Sequence, residues 1–503
     1  MAPLISRYSD QIQGVLSCYD RVILQGTLPG ICYAQGMTSY LYSQGIRIFD
    51  YPRFAEPFRD AINENAKRLA EENGLEIEFI RKQKSFRKED RISEILDQRG
   101  HEPGLIHIFS AMESCDSYKP WHDKKSGKTY LRPDSGRCLH YYFYFIDPEL
   151  GLCYLRVPTW APFRLQFYFN GHNLLASMLE ARGIGYRLVD NAFVDIEDWE
   201  LAQKLSDNWK VSDLHKALDW FAETFCPVTE KLDTSYHWSI MQAEYATDIV
   251  FKRREDLQDI YGTLTRTAIH TVKPDQVATF LGRKLTGNFQ DELGNDFNTR
   301  IEGTRIKHRM GPTSIKMYDK FGLVLRIETT SNNVSFFKHH RTVEQRNGEQ
   351  CFKLAPVKKS IYSLQPDLRD LMAAANRRYL EFISSIDDPS SGIQALNKVS
   401  TSIKENGKTY KGFNFFKGED QLLLEIITRG EFNISGLRNS DIRKRLPQKS
   451  SSQVSHLLKR LRTHGLIKKI GRTYKYYLTA FGRHVILSGL KLKNLVLIPE
   501  LCH

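Results

Sequence analysis

The sequence has few cysteines and no long apolar run. Its eight cysteines are scattered irregularly over 503 residues, which excludes a disulfide-rich secreted scaffold and favours a reducing cytoplasm. No apolar stretch approaches the ~18 residues of a membrane span, and the N-terminus, MAPLISRYSDQIQG, lacks the basic and apolar regions of a secretion signal. We therefore expect a cytoplasmic protein without a membrane partner. The length predicts roughly two to four domains.

Acidic residues are scarce in one part of the chain only. From Lys411 to His503, 18 Lys and Arg residues face 6 Asp and Glu residues, whereas the first 410 residues hold 54 against 53. The net charge of +13 therefore belongs almost entirely to the C-terminal segment. Local positive charge of this kind favours a polyanionic partner, with DNA as the first expectation and RNA as the alternative.

Secondary-structure patterns predict an α+β multidomain protein. Strand and helix signals alternate over residues 1–205, which indicates an N-terminal α/β domain. Residues 206–296 have helical periodicity, including EYATDIVFKRREDLQDIYGTL, and residues 297–400 predict a central antiparallel β section with a long helix after it. Residues 411–503 have the pattern of a winged helix-turn-helix.

Three helices and a basic hairpin are predicted in the C-terminal segment. GEDQLLLEIITRGEF, RNSDIRKRL and SSSQVSHLLKRLRTHGLI have amphipathic helical spacing, and KKIGRTYKYYLTAFG predicts the hairpin. The third helix fits a major groove, and cations of the hairpin meet phosphates beside it. The candidate DNA-binding residues are Ser451, Gln453, His456, Lys459, Arg460, Lys468, Lys469, Arg472 and Lys475.

Two resemblances bear on this segment and on the whole chain. LLKRLRTHGLIKKIGRTYKYYLT resembles the recognition helix and wing of the MarR and related winged-helix families. That resemblance implies a DNA reader, with a module for protein contacts as the alternative. PWHDKKSGKTYLRPDSGRCLHYYFYFID and VPTWAPFRLQFYFNGHNLLA are similar to stretches of a broad group of prokaryotic proteins carried in several genomic copies, which implies a mobile-element setting.

A second hairpin is predicted by SIKMYDKFGLVLRIETT, residues 314–330. Apolar and polar residues alternate on both sides of a turn, and side chains two apart share one face of a strand. Together with the upstream strand GTRIKHRM, a three-stranded meander collects cations, a tyrosine and a carboxylate on one face. Such a face suits a phosphodiester, because cations hold the phosphate, a tyrosine attacks phosphorus and a carboxylate holds a metal.

The hairpin also supplies the catalytic candidates. They are Lys316, Tyr318, Arg326 and Glu328, with Mg²⁺ or Mn²⁺ expected at Glu328, and the further nucleic-acid-binding candidates are Arg305, Lys307 and Lys320. IKMYDKFGLVLRIETT resembles the YDK…RxE signature of rolling-circle replication initiators of plasmids and filamentous phages. This resemblance implies that Tyr318 nicks one strand and stays attached to the 5′ phosphate. The chain has no clear His-hydrophobe-His motif, which many such nickases use, and an ordinary polar sheet face is the alternative.

Two cysteines and two histidines lie close together in the sequence: Cys115, His122, Cys138 and His140. Thiolate and imidazole ligands form tetrahedral zinc sites, and the polar, turn-rich segment between these residues would gain from a metal. A structural zinc site is therefore one expectation. Plain burial of Cys138 and His140 on one face of a strand is the other.

Two further patterns are compatible with nucleic-acid chemistry. Asp20, Glu113, Asp190 and Asp195 lie in or after predicted strands, which is how two-metal nucleases hold Mg²⁺, although acids at strand ends also form turns and caps. The aromatic run Tyr141–Phe145 puts rings on both faces of a strand. One face then stacks unpaired bases, or both faces belong to the core.

These features together predict a DNA-binding protein of a mobile element or replicon. The winged helix would bind duplex DNA, and the central β domain would nick or hold a strand. A non-enzymatic winged-helix transcriptional regulator and an RNA-binding protein are the alternatives. Metal-dependent nicking of supercoiled plasmid separates the first hypothesis from the other two.

Overall fold

A computed structural model describes residues 3–81, 86–232, 234–283, 298–302, 305–345, 348–385, 389–471 and 473–501. The chain divides into two compact units, Met1–Ser385 and Ile386–His503. Both units combine helices with strands, so the expected α+β class is confirmed. Within the described ranges, no helix has both the length and the apolar character to cross a bilayer.

One large sheet organises the first unit. The strands of this unit are β1 (Ile12–Thr27), β2 (Ile77–Phe79), β3 (Gly104–His122), β4 (Thr129–Asp147), β5 (Gly151–Pro158), β6 (Leu165–Phe169), β7 (Tyr186–Val189), β8 (Ala192–Ile196), β9 (His237–Phe251), β10 (Asn298–Glu302), β11 (Arg305–Met310), β12 (Thr313–Lys320), β13 (Val324–Ser331), β14 (Lys338–Glu344) and β15 (Gln350–Pro356). Among the described residues the sheet has eleven strands, in the order β10-β11-β12-β13-β9-β1-β6-β5-β4-β3-β2. Neighbouring strands are antiparallel, except β2 with β3.

Helices cover the two faces of this sheet unequally. They are α1 (Pro3–Arg7), α2 (Ala34–Ser43), α3 (Tyr51–Glu72), α4 (Lys88–Arg99), α5 (Gly171–Glu180), α6 (Trp199–Asn208), α7 (Val211–Phe225), α8 (Thr229–Leu232), α9 (Arg254–Thr271), α10 (Pro274–Phe280) and α11 (Arg369–Ser385). One face packs against α2, α3, α7, α9 and α11. On the other face, α4 packs on β3 to β5, and α5 and α6 pack on β1. Polar residues occupy the middle of that second face, which we call the open face.

The aromatic run Tyr141–Phe145 on β4 is buried on both faces of the sheet. Its odd-numbered rings pack in the core under α3 and α7, and its even-numbered rings pack under α4. The core alternative for this run is therefore confirmed.

Residues 237–251 form a strand, so the prediction of a helix from Glu244 onward is wrong for its first part. In β9, Tyr245 and Ile249 face the buried side, while Glu244 and Asp248 face the opposite side. This period of two matches a strand that pairs with β1 on one edge and β13 on the other. Helical structure begins only at α9.

The regions predicted as separate domains, 1–205, 206–296 and 297–400, contribute strands to the same sheet. β1, β9 and β13 come one from each region and are direct neighbours. The first unit ends at Ser385, before the predicted end of the central domain. Pairing between strands so distant in sequence leaves no local pattern, which is why periodicity divides this part of the chain into three.

The structure contains the predicted meander, and it sets the register that the sequence leaves open. β11, β12 and β13 are consecutive and antiparallel, and Lys316 pairs with Glu328 while Tyr318 pairs with Arg326. All four side chains lie on the open face, because the alternate residues of β12 and β13 are apolar and buried on the other side.

The second unit contains short helices and three small strand pairings. Its elements are α12 (Pro389–Ser400), β16 (Ile403–Glu405), β17 (Lys408–Tyr410), α13 (Gly418–Ile427), α14 (Gly430–Ser435), α15 (Asn439–Arg445), α16 (Ser451–Thr463), β18 (Ile467–Lys469), β19 (Tyr476–Leu478), α17 (Ala480–Lys491) and α18 (Ile498–Glu500). β16 pairs with β17, β18 pairs with β19, and a single bridge joins Leu437 to Tyr476. Ser450 caps α16, because its Oγ accepts a hydrogen bond from the amide of Gln453 at 3.3 Å.

Candidate metal centre

A β-bulge places two polar residues of β1 on the open face. Asp20 and Arg21 together oppose the single residue Glu244 of β9, because the register shifts between Tyr19 and Val22. Such a bulge interrupts the strict alternation of side chains. Tyr19 and Val22 both belong to the buried core, so Asp20 and Arg21 both lie on the opposite face.

Three carboxylates from adjacent strands converge beside this bulge. Asp20 lies on β1, Glu244 on β9 and Glu328 on β13, and one oxygen of each lies within 4.8 Å of the others. In the part of the chain that the structure describes, this is the one group of three or more His, Cys, Asp or Glu residues with such spacing. Carboxylate oxygens are the ligands that Mg²⁺ and Mn²⁺ prefer, so these residues form a candidate metal centre.

The three carboxylates ionise under different constraints. Burial, and then the charge of Glu328, raise the pKa of Glu244 to about 7. Burial also disfavours the charged form of Asp20, but the hydrogen bond with His172 and the charge of Arg326 outweigh it and hold the pKa of Asp20 below its usual range. A divalent cation among the three oxygens would offset the repulsion that Glu244 experiences.

Lys316 and Tyr318 bind the two oxygens of Glu328. Lys316 Nζ lies 2.5 Å from Oε1, and the Tyr318 hydroxyl donates to Oε2 at 2.6 Å. Lys316 Nζ also lies 3.7 Å from Glu244 Oε1, so it bridges two of the carboxylates. Burial and the charge of Glu328 raise the pKa of Tyr318. The phenol therefore depends on a neighbouring base for activation, and Glu328 is in hydrogen-bond contact with it.

Arg326 lies beneath the carboxylates and is completely buried. Its Nε and Nη2 donate to the two oxygens of Asp248, each at 2.6 Å. Nη2 also lies 3.1 Å from Nε2 of His172, and Nδ1 of the same ring lies 3.3 Å from Asp20 Oδ1. The sequence predicts Arg326 as a phosphate ligand on an exposed face, whereas the structure uses most of its donors inside the protein.

His172 reaches the centre because α5 begins against β1. Asn170 caps this helix, and its Oδ1 accepts a hydrogen bond from the amide of His172 at 2.7 Å. Gly171 lies so close to Tyr19 that an added Cβ would be 2.3 Å from the carbonyl oxygen of that residue. A side chain at position 171 would push α5, and His172 with it, away from Asp20.

Only one of the four predicted strand-borne acids belongs to the centre. Asp20 does, whereas Glu113 binds Arg156, with 2.7 Å between Oε2 and Nη2. Asp190 and Asp195 also lie outside the group of three carboxylates.

The other cationic candidates of the first unit lie around the hairpin. Lys320 forms an ion pair with Asp190, with 3.1 Å between Nζ and Oδ2. Arg305 and Lys307 are half-buried on β11, and Lys307 pairs in register with Lys316. These two side chains therefore continue the cationic part of the open face beyond Lys316.

The four predicted zinc ligands do not come together. His122 lies near the end of the β3–β4 hairpin, seven residues from Cys115 along β3, which corresponds to about 23 Å of extended strand. Cys138 and His140 are buried, and the Nδ1 of His140 donates to the carbonyl oxygen of Cys138 at 3.1 Å. Burial lowers the pKa of His140 to about 4. These residues follow the alternative prediction of burial, and they do not form the predicted zinc site.

Two predicted DNA-binding cations of α16 are engaged inside the second unit. Arg460 forms an ion pair with Asp420, with 2.7 Å between Nη1 and Oδ1, and lies 3.9 Å above the ring of Phe413. Lys459 Nζ lies 2.9 Å from Glu405 Oε1. Both side chains therefore tie α16 to earlier elements of the same unit.

The remaining candidates of this unit are more accessible. Ser451, Gln453, His456, Lys468 and Lys469 are exposed. Lys475 is half-buried, and Arg472 lies outside the described residues.

Four residues of the centre are absent from the sequence prediction: Arg21, His172, Glu244 and Asp248. The last two fall in the segment with a helical prediction. The sequence feature that could have placed these two residues on a strand is the period-two alternation of MQAEYATDIV, in which Glu244 and Asp248 lie on the face opposite Tyr245. Nothing local marks Arg21 or His172, because a bulge and a helix start bring them to Asp20.

Comparison with known proteins leaves the family of this chain open, because no family model matches it and neither a curated protein nor a solved structure is similar to it. Fold and site nevertheless define a class by their geometry: an α+β protein with a carboxylate centre on the open face of a large sheet.

Proposed function

We propose that the protein binds DNA and cleaves a phosphodiester bond of nucleic acid at the centre formed by Asp20, Glu244 and Glu328. The observation that carries this proposal is the convergence of these three carboxylates with Lys316 and Tyr318 on one face of the sheet. Three carboxylate oxygens suit a divalent cation, and such a cation together with a lysine suits the negative charge of a phosphate.

Arg326, which is ion-paired with Asp20, gives a second indication of a ligand at this centre. It is completely buried, and its Nη1 has no hydrogen-bond partner among the described residues. This atom lies 3.4 Å from Asp20 Oδ2, at the edge of the carboxylate group. Buried donors are rarely left without an acceptor, and a phosphate oxygen at the centre would supply one.

In the proposed reaction Tyr318 is the nucleophile and Glu328 is the base. The phenol oxygen bonds to phosphorus, the bond from phosphorus to the 3′ oxygen breaks, and the phenol proton passes to Glu328 Oε2, 2.6 Å away. The leaving 3′ oxygen takes a proton from water, so the products are a 5′-phosphotyrosine linkage and a free 3′ hydroxyl. Lys316, and the cation when bound, offset the charge that builds up on the phosphate oxygens.

The order of elements in the second unit supports DNA binding by a winged helix-turn-helix. α15 and α16 are followed by the β18–β19 hairpin, and the bridge between Leu437 and Tyr476 ties the segment before α15 to that hairpin. Gln453 is exposed on α16, the helix that enters a major groove in this arrangement, and Lys468 and Lys469 are exposed on β18. A nicking centre joined to a duplex reader fits a mobile element or replicon.

Covalent capture tests the proposed reaction. The full chain is incubated with supercoiled plasmid, and with an internally labelled single strand, in Mg²⁺, in Mn²⁺ or in EDTA. We expect metal-dependent nicking and a labelled adduct that mass spectrometry locates at Tyr318. Tyr318→Phe should abolish both the nicking and the adduct, and should leave duplex binding unchanged.

The possible outcomes separate the parts of the proposal. Nicking without an adduct, and at the same rate in Tyr318→Phe, would assign the attack to water and retain the metal centre. No cleavage of supercoiled DNA, single-stranded DNA or RNA under any of the metal conditions would reject the proposed activity.

A non-enzymatic winged-helix regulator is the second candidate. It is favoured by the pairing of both Glu328 oxygens, with Lys316 and with Tyr318, which satisfies this carboxylate without any ligand. On this reading the open face is a structural polar network. Tyr318→Phe would then change only the stability of the first unit.

A further inference from the structure

A cleft of about 800 Å³ opens on the same face of the sheet as the carboxylates. Tyr144, Tyr154 and Tyr168, from β4, β5 and β6, line its sheet side, and residues of α4, α5 and the β7–β8 hairpin form its walls. A cleft of this volume suits a ligand the size of a nucleotide.

One end of the cleft meets the carboxylate centre. Arg21 lines the cleft and follows Asp20 directly at the bulge of β1. Asn191 also lines the cleft, and its Nδ2 donates to Asp20 Oδ1 at 2.5 Å. A ligand at this end therefore lies beside the proposed site of cleavage.

Arg21 offers a donor to such a ligand. Its Nε is buried and has no hydrogen-bond partner among the described residues, while its guanidinium lies 5.5 Å from the ring centre of Tyr168. Four acidic residues line the cleft, namely Glu89, Asp147, Glu180 and Asp190, and the charge of Asp190, beside Asn191, is paired with Lys320. The Arg21 end is therefore the part of the cleft that suits a phosphate, and the acidic parts disfavour one.

The tyrosines suit the base of the same nucleotide. The rings of Tyr154 and Tyr168 are stacked, with 5.1 Å between their centres and 13° between their planes. Tyr144 lies next in this row, 5.2 Å from Tyr154; these two rings are buried, so the half-buried Tyr168 is the ring that a base can reach. Aromatic rows of this kind accept nucleic-acid bases with little sequence preference, because every base has a flat apolar face.

We infer that this cleft binds one unpaired nucleotide of a nucleic-acid strand, with its phosphate at Arg21 and its base beside Tyr168. The inference deepens the proposed function, on which it rests for the position of the strand relative to the carboxylates. A base that is paired in a duplex cannot enter the cleft, so the strand must be open at this position.

Photocrosslinking in EDTA tests the ligand without any cleavage. The full chain is irradiated with single-stranded DNA or RNA that carries 5-iodouracil, and with a blunt duplex of the same sequence. We expect crosslinks on peptides that contain Tyr154 or Tyr168 with a single strand, and none there with the duplex. Crosslinks confined to residues 411–503, or equal yields at Tyr168 from single strand and duplex, would overturn the inference.

Variants at the two ends of the proposed contact sharpen this test. Arg21→Gln should lower the crosslink yield in the cleft roughly tenfold, and Arg21→Lys should lower it less, because a cation is retained. Tyr168→Leu should lower the yield by a similar factor, whereas Tyr168→Phe keeps the ring and should retain crosslinking. If Tyr168→Leu does not fold, the crosslink yield of Arg21→Gln tests the inference instead, because Arg21 is only half-buried.

The DNA and RNA arms identify the strand. Crosslinking in the cleft by single-stranded DNA or by single-stranded RNA supports the inference. The nucleic acid that gives the higher crosslink yield is the class of strand that the cleft prefers. Crosslinking without cleavage in Mn²⁺ would reject the proposed reaction and retain the cleft as a binding site. Cleavage with no crosslink in the cleft, and with wild-type behaviour of Arg21→Gln, would reject the inference alone.

Discussion

The two units of the chain use charge in opposite ways. The first unit, Met1–Ser385, holds 51 Lys and Arg against 50 Asp and Glu, and most charges of the carboxylate centre are buried and paired. The second unit, Ile386–His503, holds 21 against 9, and several of these cations are exposed. Buried charges interact strongly and depend on exact partners, whereas exposed charges act together and are screened by salt. This contrast predicts chemistry in the first unit and electrostatic binding in the second.

The largest effect is expected from breaking the buried ion pair of Arg326. Asp248→Ala leaves the guanidinium of Arg326 buried without its main partner, which should cost about 3–5 kcal/mol of the unfolding free energy. The comparison in the second unit is Glu419→Ala, which removes the exposed pair with Lys449 at 3.8 Å and should cost less than about 1 kcal/mol. Chemical denaturation measures both. Similar costs for the two substitutions would remove the contrast between the units.

The next effect concerns cleavage. Glu328→Gln keeps the size of the side chain but removes the proposed metal ligand and the proposed base for Tyr318, so the nicking rate should fall about 100-fold or more. Duplex affinity should not change, because we propose that the second unit supplies it. Glu64→Gln, an exposed carboxylate on α3, is the matched control and should retain the wild-type rate. An equal loss of duplex affinity in Glu328→Gln would contradict the division of roles.

The sequence predicts those parts of this contrast that depend on local pattern. The hairpin around Tyr318 follows from strict alternation, which places Lys316 and Tyr318 on one face of a strand, with Arg326 and Glu328 on the same face if the turn is short. The basic C-terminal segment follows from counting charges. The helices of that segment follow from apolar spacing.

The rest of the centre depends on long-range pairing. Asp20, Glu244 and Glu328 are separated by more than 80 residues at each step, yet they lie on neighbouring strands. No local period reports that β1 and β13 both pair with β9. The burial of Arg326 follows from the same pairing, since Asp248 beneath it also comes from β9.

The effect of pH should distinguish the centre from the exposed cations. The pKa of Glu244 is about 7 in the folded protein against an ordinary 4.5. Its contribution to stability is therefore complete below pH 4.5 and is lost as the pH rises through 7. In EDTA, the Tm of the wild type should fall relative to that of Glu244→Gln between pH 5 and pH 8. Mn²⁺ should restore the wild-type Tm at pH 8 and have less effect on the variant. A Tm difference that is flat with pH, and insensitive to Mn²⁺, would exclude Glu244 as a ligand.

The smallest effect is expected at the exposed lysines of β18. Each phosphate contact contributes about one unit to the slope of log affinity against log salt concentration. Lys468→Ala combined with Lys469→Ala should therefore reduce this slope by roughly two, and should weaken binding to all duplex sequences alike.

Gln453→Ala should instead leave the slope unchanged and reduce discrimination between sequences, because its amide is exposed on α16 and carries no charge. Fluorescence anisotropy over a range of salt concentrations measures the slope, the affinity and the discrimination between sequences. Lys459→Ala is the matched control, since that lysine is already paired with Glu405 and should change the slope little. An unchanged slope in the double variant would exclude Lys468 and Lys469 as phosphate contacts.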